Sequence, residues 1–497
     1  MGGMRVLVTG GTGVVGRSTV TALLQRGHAV TLLSRHAGRD AAQWPHGVTP
    51  IVGDVADPSS IQGAADGCDV VLHMTAIMDE HGANTLERVN VDGTRNVVRE
   101  AERAGVRRLV YVSSLGADRG ESAYHRSKRK GEAIVRQFNA AWTVVRVANV
   151  YGPGDEQISL LLRMVRSLPV LPVVGDGNQQ FQPIWHDDVA EVLARAAERE
   201  DLAGRELDVA GAEITSQSDL IQRFRRLTGR AAPSLPVPDF LARIGVTLAS
   251  AVGVDVPFNE SQLQMLSEGN VIDAGRENAT ITVFNVTPTP LDRGLAQLVN
   301  VQDEQMPDSG VGPLRRRRYW ADVRGSAKTP ESLTDDVCEH FGDLMASFID
   351  MQSEPAARAA IEEGETITLS LPLRGHVQVR VAERDARVVT LVTLDGHPLA
   401  GAVRFLSEAR GADLRFEVQV YDRAANMIDL VAMRAFGDRL QDAAWHALVQ
   451  NVVARTGGAA PAGVQQESET LEETQAERIE DWLRELVLER KREEAGI

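Results

Sequence analysis

The sequence has few cysteines, few positive charges relative to negative ones, and no long apolar run. Cys68 and Cys338 are the only cysteines in 497 residues, which excludes a disulfide framework and is typical of a reducing compartment. The formal net charge of -16 argues against nucleic acid or an anionic membrane as the main partner. The longest apolar stretch, 241–254, is too short and interrupted for a membrane span. No signal peptide precedes the first apolar run, so we predict a cytoplasmic protein without an integral membrane segment.

Patterns that bind metals are absent as well. No pair of histidines, cysteines or carboxylates has the spacing of a metal site, so we predict none. The basic run Arg315 to Arg318 departs from the acidic balance, and we interpret it as a solvated or phosphate-facing turn. The chain is too long for one ordinary hydrophobic core, which predicts two or three domains.

The strongest pattern is a glycine-rich turn at the start of the chain. Gly10, Gly13 and Gly16 lie between an apolar run of strand character, 6–9, and a segment with apolar residues at helical spacing. Such a turn brings the N–H groups of a helix toward an anion. Gly10 lets the chain turn, Gly13 lets a pyrophosphate approach the backbone, and Gly16 lets the helix pack closely on the strand. The turn therefore predicts a dinucleotide site.

The end of the second predicted strand, 29–35, bears on which dinucleotide is bound. An acidic residue there would accept a hydrogen bond from the ribose 2′-hydroxyl of NAD. This chain has Ser34 and Arg35 instead. Since a guanidinium suits a 2′-phosphate, NADP(H) is favoured over NAD(H). An exposed arginine at a strand end is the alternative.

Strand and helix patterns then alternate, which predicts a parallel, doubly wound sheet of Rossmann type. The further strands are predicted at 50–55, 69–76 and 108–114, with a crossover helix at 90–104. The residues predicted to contact the dinucleotide are Gly10, Thr12, Gly13, Val14, Val15, Gly16, Ser34, Arg35, Asp54, Val55, Met74, Thr75, Ala76 and Lys128.

Tyr124 and Lys128 are the candidate catalytic pair, together with Ser114. They stand four residues apart, on one face if the segment is helical. A phenol is a poor acid or base near its ordinary pKa of about 10. A nearby ammonium and an oxidised nicotinamide would favour the phenolate and lower that pKa. Ser114, at the end of the neighbouring strand, is placed to hydrogen-bond a substrate oxygen.

Residues 4 to about 300 resemble an extended or atypical short-chain dehydrogenase/reductase of the NAD-dependent epimerase/dehydratase type. The matching motifs, in order, are 9–16, Gly53-Asp54, Ser113-Ser114, Tyr124-x-x-x-Lys128, 146–155 and 182–190. Within the family the chain is most similar to the branch that contains the NADPH-binding accessory subunit of respiratory complex I. The resemblance implies a Rossmann domain with a small C-terminal lobe that sets substrate choice.

Three functions are compatible with these residues. The first is an NAD(P)(H)-dependent oxidoreductase acting on a carbonyl or secondary alcohol: Tyr124 transfers the proton, Ser114 orients the oxygen, and Lys128 lowers the tyrosine pKa and binds the ribose. The lobe is mostly apolar, which favours a hydrophobic small-molecule substrate. The second function is an NADP(H)-binding structural or sensing protein without turnover. The third is a sugar-nucleotide epimerase or dehydratase, which Arg35 and the apolar lobe disfavour. A homo-oligomer is compatible with all three.

The C-terminal part is predicted as a separate α+β module. Short strands are predicted at 367–373, 376–382, 387–394, 401–407 and 414–421, followed by a long amphipathic helix at 438–455. This order is similar to the helix-grip fold of polyketide-cyclase and START-like proteins, which implies an apolar ligand; a packing or dimerisation role is the alternative. We interpret His397, in a turn before proline, as structural.

The sequence thus predicts four parts: a Rossmann domain at 1–230, a substrate lobe and linker at 231–312, the helix-grip-like domain at 313–460, and a charged helical tail at 461–497. In the tail, apolar residues recur at helical spacing between Ile479 and Val487. We interpret it as a solvated helix with one apolar face, able to dock on a partner or on its own chain.

Overall fold

The computed structural model describes most of the chain. The described residues are 3–41, 44, 46–80, 82–155, 157–167, 170–228, 233–237, 270–300, 304–345, 350–351, 361–371, 375–394, 397–425 and 438–495. The apolar stretch 241–254 of the predicted lobe lies outside them. The chain divides into two compact units, the first formed by Met1–Leu160, Pro172–Arg223 and Pro236–Leu298, the second by Leu161–Leu171, Phe224–Leu235 and Val299–Ile497.

The elements up to residue 300 are strands and helices, which alternate at the start of the chain as the patterns predict. The strands are β1 (Arg5–Thr9), β2 (Ala29–Ser34), β3 (Val48–Val52), β4 (Val70–His73), β5 (Arg108–Ser114), β6 (Ala141–Val147), β7 (Val150–Tyr151), β8 (Leu171–Val174), β9 (Gln180–Phe181), β10 (Ile184–Trp185), β11 (Arg205–Val209), β12 (Thr215–Ser216) and β13 (Ser234–Val237). The helices are α1 (Val14–Gln25), α2 (Ala37–Asp40), α3 (Gly93–Arg103), α4 (Ala123–Val135), α5 (Ile158–Ser167), α6 (His186–Glu198), α7 (Gln217–Thr228), α8 (Ala279–Thr282) and α9 (Leu291–Asn300).

A parallel sheet forms the centre of the first unit. Among the described residues its order is β11-β6-β5-β4-β1-β2-β3, which is the doubly wound Rossmann arrangement. Alternate residues of β1 face opposite sides: Val6 and Val8 pack with α1 and α6, whereas Leu7 packs with α3 and α4. Because both faces are covered, nearly every strand position is apolar, as a parallel sheet requires. The predicted fold class is therefore confirmed.

Three predicted boundaries are wrong in detail. The third strand ends at Val52, before Asp54, and the fourth covers only Val70–His73. The crossover helix begins with a π-helical turn, Glu87–Asp92, before α3. Apolar residues continue past each strand end into loops at the carboxyl edge of the sheet, and hydrophobicity alone does not show where sheet pairing stops.

The second unit contains a large antiparallel sheet. Its strands are β14 (Val311–Val323), β15 (Asp350–Met351), β16 (Thr366–Leu371), β17 (Gly375–Asp385), β18 (Val388–Thr393), β19 (Leu399–Arg410), β20 (Asp413–Ala424) and β21 (Gln465–Thr470). Their order within the described residues is β15-β16-β17-β18-β19-β20-β14-β21. The helices are α10 (Pro330–Glu339), α11 (Phe341–Leu344), α12 (Asp438–Arg455) and α13 (Glu473–Ala495).

Helices cover both faces of this second sheet. On one face α10, α11 and α12 enclose the larger apolar core; Leu448 and Val452 of α12 are fully buried there. On the other face α13 buries Leu483 and Val487 against β17, β18 and β19. The interpretation of the tail as a solvated helix is therefore wrong: it is docked on its own chain by its apolar face. The helix-grip resemblance is not confirmed by these findings.

The interpretation of the basic run as a turn is wrong. Arg315 to Arg318 lie inside β14, where successive side chains point to opposite faces of the sheet. Carboxylates on the flanking strands neutralise them: Arg317 pairs with the buried Asp422, and Arg318 pairs with Glu417 at 2.7 Å. These partners are about a hundred residues away in sequence, so the run alone does not reveal them.

His397 is buried, and its Nδ1 atom accepts a 3.0 Å hydrogen bond from the backbone N–H of Leu399. Burial lowers the pKa of this imidazole to about 4, so it is neutral at pH 7.

Among the helices of the described residues, none is both long enough and apolar enough to cross a bilayer.

Candidate functional site

A cavity of about 590 Å³ opens at the carboxyl edge of the sheet in the first unit. It is lined by the glycine turn, by the ends of β2, β4 and β5, and by the first turn of α4. Every residue that the sequence predicts as catalytic or cofactor-binding lines this cavity, apart from Lys128. Lining residues that sequence reasoning did not select include His36, Asp40, Asn84, Gln157, Phe181 and Asn270. They lie in loops or at the ends of very short elements, α2 and β9, where no periodic pattern identifies them.

The glycine turn has the geometry that a dinucleotide phosphate needs. Gly10 has φ +76°, and a Cβ atom there would lie 2.8 Å from the backbone nitrogen of Thr75. A Cβ on Gly16 would lie 2.2 Å from the carbonyl oxygen of Gly10. At Gly13 a Cβ would meet nothing closer than 3.7 Å, so the backbone is open on that side. Gly10 and Gly16 therefore close the turn, and Gly13 leaves room for a ligand.

The N-terminus of α1 adds a favourable field at this place. Its N-cap, Gly13, offers no side chain to cap the first turn, and the turn holds no acidic residue. The positive end of the helix dipole and its N–H groups thus face the cavity without a competing carboxylate. These features fit a pyrophosphate group.

Polar side chains cluster beyond the end of β2. The Ser34 hydroxyl donates a hydrogen bond to the carboxylate of Asp40 and accepts one from the His36 backbone N–H at 3.1 Å. Arg35 is exposed. Asp54, which follows β3, accepts a 2.9 Å hydrogen bond from the Ala56 backbone N–H, so one of its carboxylate oxygens already has a partner.

Ser114 and Tyr124 reach the same cavity from neighbouring elements. Ser114 is the last residue of β5, and Tyr124 lies in the first turn of α4, which the Ser122 side chain caps by accepting from the His125 N–H. Burial raises the pKa of Tyr124 to about 12. Without a nicotinamide, desolvation dominates; the expected lowering of this pKa by Lys128 and an oxidised nicotinamide together stays a prediction.

The Lys128 side chain points toward strand β5 instead of into the cavity. Its Nζ atom donates a 2.7 Å hydrogen bond to the Val112 carbonyl oxygen and lies 4.4 Å from the centre of the Tyr111 ring. The side chain is 1% exposed, and burial lowers its pKa to about 7. In this conformation the Lys128 ammonium does not face the cavity where the ribose would lie. A long side chain can adopt several rotamers, so its position on the correct helical face does not decide where its end group points.

Two buried residues that sequence reasoning missed hold α4 in place. Glu132 accepts hydrogen bonds from Ser113 Oγ at 2.7 Å and from Arg146 Nε at 2.8 Å, joining α4 to β5 and β6. Asn90 accepts from the Ile77 N–H at 2.8 Å and donates to Ser127 Oγ at 2.9 Å. A polar residue on the apolar face of a predicted helix was the available signal in both cases.

The family model described as "NAD dependent epimerase/dehydratase family" matches residues 6–210. The chain is 30% identical over 260 residues to the 2-alkyl-3-oxoalkanoate reductase of Stenotrophomonas maltophilia, covering 46% of this chain and 76% of that protein. The chain belongs to the NAD dependent epimerase/dehydratase family.

Two further relatives extend the comparison. The ceramide reductase of Caulobacter vibrioides is 33% identical over 190 residues, which cover 38% of this chain and 60% of the reductase. The photosystem II assembly factor Ycf39 of Synechocystis is 27% identical over 244 residues, 47% of this chain and 71% of that protein. The chain thus spans less than two thirds of the ceramide reductase. The particular resemblance to the complex I accessory subunit is not confirmed.

Proposed function

We propose that this chain is an NAD(P)(H)-dependent oxidoreductase that acts on a carbonyl or secondary alcohol of a hydrophobic small molecule. One observation carries the proposal: the glycine turn and two hydroxyl side chains suited to proton chemistry, Ser114 and Tyr124, line the same cavity. A site that only held a nucleotide would not require both hydroxyls beside it. Family membership and the reductase names of two relatives support the same reaction class.

The residues at the carboxyl edge would hold the dinucleotide as follows. The N-terminus of α1 would receive the pyrophosphate, and Asp54 would meet the adenine. Arg35 favours NADP(H) over NAD(H), because a guanidinium pairs well with a phosphate. When bound, the nicotinamide supplies or accepts the hydride.

Tyr124 is the proton donor in this mechanism. With a pKa of about 12 its hydroxyl is protonated at neutral pH, which suits donation to a carbonyl oxygen as that oxygen gains charge. The Ser114 hydroxyl hydrogen-bonds the same oxygen and orients it. Lys128 lies four residues after Tyr124 on α4, and its charge would favour the phenolate left after proton transfer.

The proposed substrate class is inferred from the composition of the C-terminal lobe and from the names of two relatives. The sequence of the C-terminal lobe, 231–312, has a smaller share of charged residues than the 25% of the whole chain. The relatives' names give a ceramide and a 2-alkyl-3-oxoalkanoate, which both carry long or branched hydrocarbon groups. We therefore propose an apolar ketone as substrate.

The test is a hydride-transfer assay on the full chain. NADPH or NADH absorbance is followed after adding a medium-chain alkyl 3-oxo ester, with a short, polar ketone and a UDP-hexose as comparisons. We expect the alkyl ester to cause consumption of the reduced coenzyme, and the polar ketone to cause less. Turnover of only the UDP-hexose would contradict the substrate class and favour a sugar-nucleotide enzyme.

A second candidate is a structural or sensing protein that binds NADP(H) without turnover. It is favoured by the direction of Lys128, which is hydrogen-bonded away from the cavity, and by the similarity to a protein named as an assembly factor. Tight binding of NADPH by calorimetry, with no consumption in the presence of any ketone tested, would support this candidate and contradict the first.

A further inference from the structure

The cavity carries a second charge at the position where NAD and NADP differ. In a doubly wound sheet, the 2′-substituent of the adenosine ribose lies at the end of β2. Ser34 is the last residue of β2, and its hydroxyl donates a hydrogen bond to the carboxylate of Asp40. Asp40 itself lines the cavity together with Arg35. A carboxylate, Asp40, and a guanidinium, Arg35, thus both line the part of the cavity where the adenosine ribose would lie.

The contact with Ser34 keeps this carboxylate close to the strand end. Asp40 is the last residue of the short helix α2 and is partly buried. Ser34 Oγ also accepts the His36 backbone N–H at 3.1 Å, so the loop between β2 and α2 is closed by a chain of hydrogen bonds. Arg35, by contrast, is exposed, so its side chain can turn toward a ligand or toward solvent.

The two charges act oppositely on the two coenzymes. A carboxylate repels a 2′-phosphate but accepts a hydrogen bond from a 2′-hydroxyl, whereas a guanidinium attracts the phosphate. We propose that Asp40 is a specificity-determining residue, which opposes Arg35 and limits the preference of this site for NADP over NAD. This inference rests on the proposed function, because it assumes that the cavity holds a nicotinamide dinucleotide.

The experiment measures binding of NAD+ and NADP+ to the full chain by calorimetry. The quantity compared is the ratio of the dissociation constant of NAD+ to that of NADP+. Asp40→Asn should raise this ratio about tenfold, the effect of removing one nearby like charge, and Arg35→Ala should lower it by a similar factor. Asp201→Asn removes one negative charge that does not line the cavity, and it should leave the ratio unchanged.

Two further measurements separate a charge effect from a structural one. The change caused by Asp40→Asn should shrink as salt is raised from about 0.05 M to about 0.5 M, because ions screen an accessible pair of charges. Ser34→Ala, which removes one hydrogen bond to the carboxylate, should change the ratio less than Asp40→Asn does. A ratio within about twofold of the unmodified chain in Asp40→Asn, or equal losses for both coenzymes, would overturn the inference. Failure of the unmodified chain to bind either coenzyme would contradict the proposed function, and this inference with it.

Discussion

The ammonium of Lys128 donates a 2.7 Å hydrogen bond to the carbonyl oxygen of Val112, and it does so in a fully buried setting. The lysine is therefore part of the packing of α4 on β5 as well as a candidate for the chemistry. Its charge state depends on pH in the physiological range, because burial lowers its pKa to about 7.

Lys128→Met should change how stability depends on pH. Below about pH 7 the lysine is protonated in both the folded and the unfolded chain. Between about pH 7 and 10.5 the unfolded chain binds the extra proton, so the free energy of unfolding of the natural chain rises with pH, by up to about 1.4 kcal/mol per pH unit. The variant lacks this rise. Urea unfolding at several pH values measures it, with Lys130→Met, an exposed lysine on the same helix, as control.

Tyr124→Phe should lower turnover of the alkyl 3-oxo ester by about 100-fold or more, because the proton donor is removed. Affinity for NADPH should change little, since the phenol is assigned to the substrate oxygen. Steady-state kinetics and calorimetry give the two quantities. Tyr421→Phe, in the second unit, is the matched control. Full turnover in Tyr124→Phe would exclude the phenol as proton donor.

Gly16→Ala should weaken dinucleotide binding severely. The new methyl group would lie 2.2 Å from the Gly10 carbonyl oxygen, so the turn must open and the N-terminus of α1 must move. Gly38→Ala offers a comparison, because a Cβ there meets nothing within 4 Å. We expect at least a tenfold loss of affinity for the first variant and little change for the second, measured by calorimetry. Unchanged binding in Gly16→Ala would contradict the assigned pyrophosphate site.

Glu132→Gln should destabilise the first unit by about 3–5 kcal/mol, since it leaves the buried Arg146 guanidinium without one of its carboxylate partners. Glu87→Gln breaks an exposed pair with Lys130 and should cost less than about 1 kcal/mol. Urea unfolding compares the two variants. Equal losses of stability would show that the buried network does not hold α4.

Leu483→Ala should destabilise the second unit by about 2–5 kcal/mol, because this side chain of α13 is fully buried against the sheet. Leu488→Ala, on the same helix but 46% exposed, should have an effect below about 0.5 kcal/mol. Thermal or urea unfolding of both variants checks whether the helix is docked on the sheet. Similar small effects would mean that α13 does not pack as described.

Much of the fold follows from local pattern. The predicted helix 438–455 coincides with α12, and the predicted strand 108–114 coincides with β5. In both, residues close in sequence supply the signal, through apolar spacing in the helix and a dense apolar run in the strand. Asp40 shows the limit of this approach, because a residue six positions beyond the strand end returns to Ser34 only through the fold of the loop.

The sequence by itself determined the glycine turn, the parallel Rossmann sheet and a part of the residues that line its carboxyl edge, because each depends on backbone freedom or spacing within a few positions. Only the tertiary structure decided that Arg315 to Arg318 form a neutralised strand and that Lys128 turns toward Val112. The direction of a long charged side chain depends on which opposite charge or carbonyl oxygen the folded chain brings near it, and those partners are distant in sequence.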